Sequence, residues 1–542
     1  MSPRGSFSPE LMDIKVTVFK DPMADPVERT IPAGMTAGEL MNEYRSHMPY
    51  RIISARVDGD DVSLTHKLKK NCEIIFCDIR DNAANRCFQR GLSFLYLKAV
   101  HDLFGGEAKV FIHNSVNRGI FTTLDMQPGS PEKEEPDEEC LRKIEKRMWQ
   151  LVDANIPIEK TSGKNYRLDG YTNYFYGIMP PSTGYVYQFA LEAMRGGVLL
   201  RFPHPSDPGR LAVYRRDARI FDAYDDEQAF LDGLRLGQIS DLNKRIKAGA
   251  EDLILTAEAR HAARIQDTAQ KIIDTGKRVI LIAGPSSSGK TTFSKRLIGK
   301  LTELGCPPPL YLGTDDYFTE RENTPRDKKG EYNYEGLDAM DVDLFVRNIG
   351  ELLAGKTADL PEYSFITGKK TFGQRKTKLK KGQIIVVEGI HALNKKMSAG
   401  IENDVKFKIY ISPLTQLNID DHNRVPSTDV RLIRRMVRDN RTRGRSVVET
   451  IRQWPKVRAG ESVNIFPYNN EADEIFNSTL IYELPVLKKY AEPLLSEVRP
   501  GEAAYGHAKW LLYFLSFFKA IGDESAIPAE SILREFIGGG RF

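Results

Sequence analysis

The run RVILIAGPSSSGKTTFSKRLI, residues 278–298, constrains this chain more than any other stretch. A short apolar strand, 279–283, meets a turn of the form GxxxxGK[ST] that opens at once into an amphipathic helix. In that context the pattern is a phosphate-binding loop. Its parts are Gly284, Pro285, Ser286, Ser287, Ser288, Gly289, Lys290, Thr291 and Thr292. The glycines let the backbone curl until its N–H groups point at phosphate oxygens, and the helix N-terminus adds a favourable dipole. Lys290 is placed to reach the outer phosphates and Thr291 to offer a hydroxyl to Mg²⁺. A nucleotide site is expected here, on a parallel sheet, because strand–turn–helix units repeat from Arg278 onward.

Carboxylates at the ends of the following strands say what such a site would do. PLYLGTDDYF ends in Asp315 and Asp316, and GQIIVVEGIHAL reaches Glu388. Carboxyl ends of strands in an open α/β sheet face the ligand crevice. Asp315 is therefore a candidate general base and metal neighbour, and Glu388 a second metal-orienting acid. In STDVRLIRRMVRDNRTRGRS, Arg431, Arg434, Arg435 and Arg438 fall at helical spacing, and Arg441, Arg443 and Arg445 extend the charge. So dense a cationic stripe needs anions or acids opposite it. A lid over transferring phosphate has that need, and a solvated or RNA-binding face is the alternative. A guanine-reading NKxD segment is missing, since the Asn394-Lys395 pair is followed by Lys396 and Met397. That argues against a GTPase.

The rest of the chain calls for several domains. Its 542 residues exceed one hydrophobic core. Lys plus Arg number 78 against 74 acids, so no global charge favours nucleic acid, and RNA remains a weak possibility. Five scattered cysteines and an N-terminus without an apolar core point to a reducing cytoplasm, and no run suits a membrane span. Residues 1–81 read as a small β-rich unit with a capping box at Thr36 and Glu39 and a hairpin turn at Asp58-Gly59. Residues 82–225 read as an α+β domain crossed by the acidic loop PGSPEKEEPDEE, taken as a solvated connector. Residues 226–275 read as a helical connector, 276–500 as the phosphate-binding domain and 501–542 as a helical segment. Within that last segment AKWLLYFLSFFKAI suits core or a subunit contact, and a homo-oligomer is expected.

GPSSSGKTT, TDDYF, YNYEGLDAMD, PEYSF, VVEGI and RLIRRMVRDNRTRGR, in this order, resemble the uridine kinase branch of the phosphoribulokinase/uridine kinase family over about 276–485. The resemblance implies an ATP- and Mg²⁺-dependent kinase of a small-molecule hydroxyl, such as the 5′-hydroxyl of uridine or cytidine. It implies a catalytic Asp315 with Lys290, lid arginines Arg438, Arg443 and Arg445, and metal contacts through Thr291, Asp315 and Glu388. The acceptor would meet Asn333, Tyr334, Glu335 and Asp338, against an aromatic wall of Tyr363 and Phe365. Gly368 stands where the family usually carries a base-reading His, and Glu335 where an Asp is usual. The front of the chain resembles the β-grasp TGS module and then the second additional domain of threonyl-tRNA synthetases. Its helix GLSFLYLKAVHDLF carries His101 alone, without the second His at i+4 that a metal site there would need. A translation- or RNA-associated regulator using the nucleotide site as a switch is the rival reading, and a kinase of another sugar or alcohol a third.

Overall fold

The structure is a computed structural model that describes residues 13–19, 25–116, 119–126, 136–211, 218–327 and 330–542. Most of the acidic loop expected at 128–139 lies outside the described residues. The chain divides into two compact units. One comprises Met1–Arg216 with Asn418–Arg424 and Ser496–Tyr513, the other Asp217–Leu417, Val425–Leu495 and Phe514–Phe542.

The first unit holds two larger sheets, one of five strands and one of four, and two small ones of three and two strands. In the front one, strand Asp13–Phe19 buries Ile14, Val16 and Val18 on one face and lies antiparallel to Val27–Pro32 and parallel to Cys72–Asp78. Ile52–Val57 and Asp60–Ser63 complete the five strands as a hairpin. Its turn residues Asp58 and Gly59 sit at φ of 49° and 84°, the left-handed pair that a two-residue hairpin requires. Thr36 and Glu39 close a capping box on helix Ala37–Asn42. Behind this sheet, helix Asn82–Phe104 and helix Glu138–Asp153 share a core with a four-stranded antiparallel sheet through Phe88, Leu92, Leu95, Ile144 and Leu200.

The second unit is an α/β layer built on α1 (Glu251–Asp274), β1 (Val279–Ala283), α2 (Lys290–Glu303), β2 (Leu310–Gly313), α3 (Val342–Leu353), the hairpin β3 (Ala358–Ser364) and β4 (Lys369–Thr377), β5 (Ile385–Glu388), β6 (Lys406–Ser412), α4 (Ser427–Arg443), α5 (Val447–Asn464), β7 (Glu474–Asn477) and α6 (Glu483–Ser496). Five strands run parallel in the order β2-β5-β1-β6-β7. β1 is buried along its whole length, as a central parallel strand covered on both faces must be. Its register sets Ile282 beside Glu388, and Glu388 beside Gly313, so three strand ends converge at one edge of the sheet. Pairing decides which side chains meet in the crevice there. No helix among the described residues is long and apolar enough to cross a membrane.

Candidate active site

The loop between β1 and α2 is shaped by its surroundings. A Cβ on Gly284 would lie 2.0 Å from the Ile411 carbonyl oxygen of the neighbouring strand, so no side chain fits there. Gly289 caps α2 at φ +87°, and Ser287 holds a left-handed φ of 59°, the kind of strained backbone that functional loops carry. The loop is tied from outside as well. Arg431 donates to the Ser286 carbonyl at 3.1 Å and Arg434 to that of Ser287 at 3.3 Å, while the Ser286 N–H donates to Glu461 at 3.0 Å. Arg435 reaches the Ser286 hydroxyl at 2.8 Å.

Acids therefore face much of the arginine stripe on α4. Arg431 pairs with Glu461 at 2.5 Å and Arg434 with Glu483 at 2.6 Å, all four side chains buried. These two guanidiniums brace the loop. Farther along the helix, Arg435, Arg438 and Arg443 share one buried carboxylate, Asp439, at 3.4, 2.7 and 3.4 Å. With Glu335 also near Arg435 and Asp315 near Arg443, the three guanidiniums still form a cationic cluster at the crevice, suited to a phosphoryl group. Arg445 instead bonds Gln453 at 3.1 Å.

At the strand ends, the Thr291 hydroxyl donates to Glu388 Oε2 at 3.2 Å and the Tyr311 hydroxyl donates to the same oxygen at 3.0 Å. Lys290 Nζ lies 4.0 Å from the other Glu388 oxygen. Burial pushes the Glu388 carboxyl above its usual range against the pull of Lys290, and Asp315 adds to the rise. Asp315 itself is open to the crevice yet enclosed by protein on most sides. Desolvation raises its pKa, Lys290 opposes, Asp316 adds to the rise and Arg443 opposes. Asp316 is committed elsewhere, to Arg375 at 2.7 Å and the Tyr363 N–H at 3.4 Å. The two adjacent aspartates thus differ in their engagement. Asp315 sits among the charges of the crevice, and Asp316 fastens the β3–β4 hairpin.

The acceptor candidates fall into two groups. Glu335 is brought in close by α5, where a Cβ on Gly460 would stand 2.6 Å from the Glu335 Cβ, and Asn464 donates to the Glu335 carbonyl at 2.9 Å. Asn333 Oδ1 accepts the Glu335 N–H at 3.3 Å. Burial lifts the Glu335 carboxyl to about 7; Arg435 and Lys290 pull it down, Glu461 and Asp315 push it up. Tyr334, Tyr363 and Phe365 gather round Phe318, with ring centres 5.4, 5.7 and 5.6 Å from it. Half of Phe365 remains exposed, a ring face available to a planar ligand. Asp338, by contrast, is exposed, and its charge bears on the buried His391. The turn at Gly368 has φ +72°, and a Cβ there would stand 2.6 Å from that of Arg321. In this conformation a histidine at 368 has no room. Arg321 fills the space, donating to the Phe365 carbonyl and, at 3.3 Å, to that of Ile366.

With burial lifting the Glu335 carboxyl to about 7, kcat/KM for an acceptor hydroxyl is expected to rise with pH through that region as the carboxylate forms. Glu335→Gln should shift the remaining limb to lower pH, since a negative neighbour of Asp315 is removed. A pH–rate profile identical in the variant would exclude Glu335 from the limb.

Three participants escaped the sequence reading: Tyr311, Glu461 and Glu483. Only Tyr311 had a local signal, standing on β2, the strand that runs into the turn carrying Asp315. Elsewhere, Asn394 caps a single turn, its side chain accepting the Lys396 N–H at 3.0 Å.

The description "Phosphoribulokinase / Uridine kinase family" belongs to the family model that matches residues 279–481. A uridine kinase of Lactobacillus helveticus is 31% identical over 176 residues, which span 32% of this chain and 74% of that protein. One from Staphylococcus aureus is 31% identical over 179 residues, spanning 33% and 76%. A third, from Histophilus somni, is 29% identical over 178 residues, spanning 32% and 75%.

Proposed function

Because the chain belongs, through residues 279–481, to the phosphoribulokinase/uridine kinase family, we propose that it phosphorylates the 5′-hydroxyl of a nucleoside such as uridine or cytidine with ATP. The observation that carries this reading is Asp315, a carboxylate open to the crevice and within the field of Lys290, while its neighbour Asp316 is tied to Arg375. Asp315 takes the proton from the acceptor hydroxyl, whose oxygen then attacks the outer phosphorus of the donor. Lys290, Arg438 and Arg443 offset the charge that spreads over the transferring group. Arg445 supports the donor from the end of α4. Asn333, Glu335 and Asp338 hold the sugar, with Tyr334, Tyr363 and Phe365 against the base.

Thr291 and Glu388, 3.2 Å apart with Asp315 nearby, form an oxygen-donor set that fits Mg²⁺. The ion would neutralise phosphate charge there. For the first unit, the five-stranded front sheet supports the TGS-like β-grasp reading of 1–81, and the α+β arrangement behind it supports a synthetase-like domain over 82–225.

ADP release with ATP and Mg²⁺ across a panel of nucleosides, sugars and alcohols tests the proposal, with the product identified by mass. A nucleoside monophosphate is the expected product. The Arg321-filled turn at Gly368 favours a second acceptor class, and turnover confined to a sugar or alcohol would replace the nucleoside. A folded protein that binds nucleotide and turns over no acceptor would defeat the catalytic reading.

A further inference from the structure

The helix that opens the phosphate-binding loop leaves its first amides unpaired. The first intrahelical bond at the start of α2 runs from the Phe293 N–H to the Gly289 carbonyl at 3.0 Å. The N–H groups of Lys290, Thr291 and Thr292 therefore have no acceptor within the helix, and such donors are what a bound phosphate takes. One of them is already in use. The Glu535 carboxylate accepts from the Thr292 N–H at 3.4 Å and from the Thr292 hydroxyl at 2.9 Å. Three positions before it, Ile532 closes on the loop itself, so near that a Cβ on Gly289 would lie 2.4 Å from Ile532 Cγ2.

This segment is held in place by the same helix that carries the arginine stripe. Arg441 donates to the Phe536 carbonyl at 3.2 Å and the Glu535 carbonyl at 3.1 Å, and the buried Phe536 ring lies 5.1 Å under the Arg434 guanidinium. The placement has an electrostatic consequence. Glu535 bears on Glu388 and adds to the upward push on its carboxyl, so a negative charge is held where the polyphosphate of a donor has to come.

Resting on the assignment of this loop as the donor site of a kinase, we propose that residues 531–542 are an intramolecular competitor of the nucleotide, with the Glu535 carboxylate standing in for a phosphate. Nucleotide entry then requires Glu535 to leave Thr292, and the apparent affinity is reduced by the fraction of molecules in which the contact is closed. Movement of the segment is coupled to α4 through Arg441, so opening the donor site and rearranging the arginine-bearing helix are parts of one event.

Calorimetric titration of the full chain with ADP and with a non-hydrolysable ATP analogue tests this. A contact closed nine-tenths of the time predicts that Glu535→Ala binds about tenfold more tightly than the unmodified protein. Glu535→Gln keeps a hydrogen-bond acceptor without the charge, and is expected to tighten binding about threefold. It also serves as the readout should the alanine variant fail to fold. Equal or weaker binding by the folded variants would overturn the proposal and leave the kinase reading intact. No nucleotide binding by the unmodified protein or either folded variant would overturn both.

Discussion

Asp315→Asn is expected to lower kcat about 10³-fold while nucleotide affinity stays within about threefold, because a positioned general base contributes on the order of 10²–10⁴ in rate. A thousandfold loss is about 4 kcal/mol of transition-state stabilisation. The asymmetry between adjacent residues makes the test sharp. Desolvation raises the Asp315 carboxyl above its usual range while Lys290 and Arg443 pull it down, and a raised carboxyl is the better proton acceptor. Asp316 gives its oxygens to Arg375 and the Tyr363 amide. Asp316→Asn should therefore loosen the β3–β4 hairpin and act mainly on acceptor KM, with kcat falling less than tenfold. The sign for pH follows from protonation. Turnover by the unmodified enzyme falls as acid protonates Asp315, and the asparagine variant should lose that limb. Near-normal kcat in Asp315→Asn, with ordinary nucleotide binding, would move the base elsewhere.

What the sequence made legible was local. The loop at 284–292, the strand ends at Asp315 and Glu388 and the helical stripe of arginines are each written within a few turns of chain, where spacing alone fixes which side chains share a face. Less legible was which cation meets which anion. Arg431 and Arg434 have the same helical credentials as Arg435 and Arg438, yet the first pair is consumed by Glu461 and Glu483, 30 and 49 residues away in sequence. The contact between Thr292 and Glu535 spans 243 residues. No periodicity encodes such pairs; they exist because sheet order brings β1, β6 and β7 together and stacks α4 above the loop. Adjacency in sequence also misleads in the other direction. Glu335 and Asp338 stand three residues apart, but Glu335 joins the charges around Lys290 while Asp338 is exposed, with its field on His391.

Glu461→Ala is expected to destabilise the protein by about 3–5 kcal/mol, the cost of stranding buried charges that have lost their partner. Glu461 is fully buried and receives Arg431 at 2.5 and 2.8 Å, Arg458 at 3.0 Å and the Ser286 N–H at 3.0 Å. Burial alone would raise its pKa, but Arg431 and Arg458 outweigh that and hold it below the usual carboxylate value. A depressed pKa contributes stability above the unfolded value of about 4.5, and that stability is lost as pH falls through the folded one. The unmodified protein should accordingly weaken in acid, and Glu461→Gln should weaken less steeply. Urea unfolding can be followed by the fluorescence of Trp454, whose ring lies 5.2 Å from the Arg431 guanidinium. The pair has a second role that stability does not measure, since Glu461 and Arg431 hold the Ser286 amide and carbonyl from the two sides. Replacing both, as Glu461→Leu with Arg431→Met, removes the buried Arg431 charge, leaves only the part-exposed Arg458 to solvent, and should recover much of the lost stability. Nucleotide affinity should stay at least tenfold reduced, because nothing then fixes the loop at Ser286. Recovery of both stability and affinity in the double variant would mean that the pair only fills the core and that the loop keeps its shape without it.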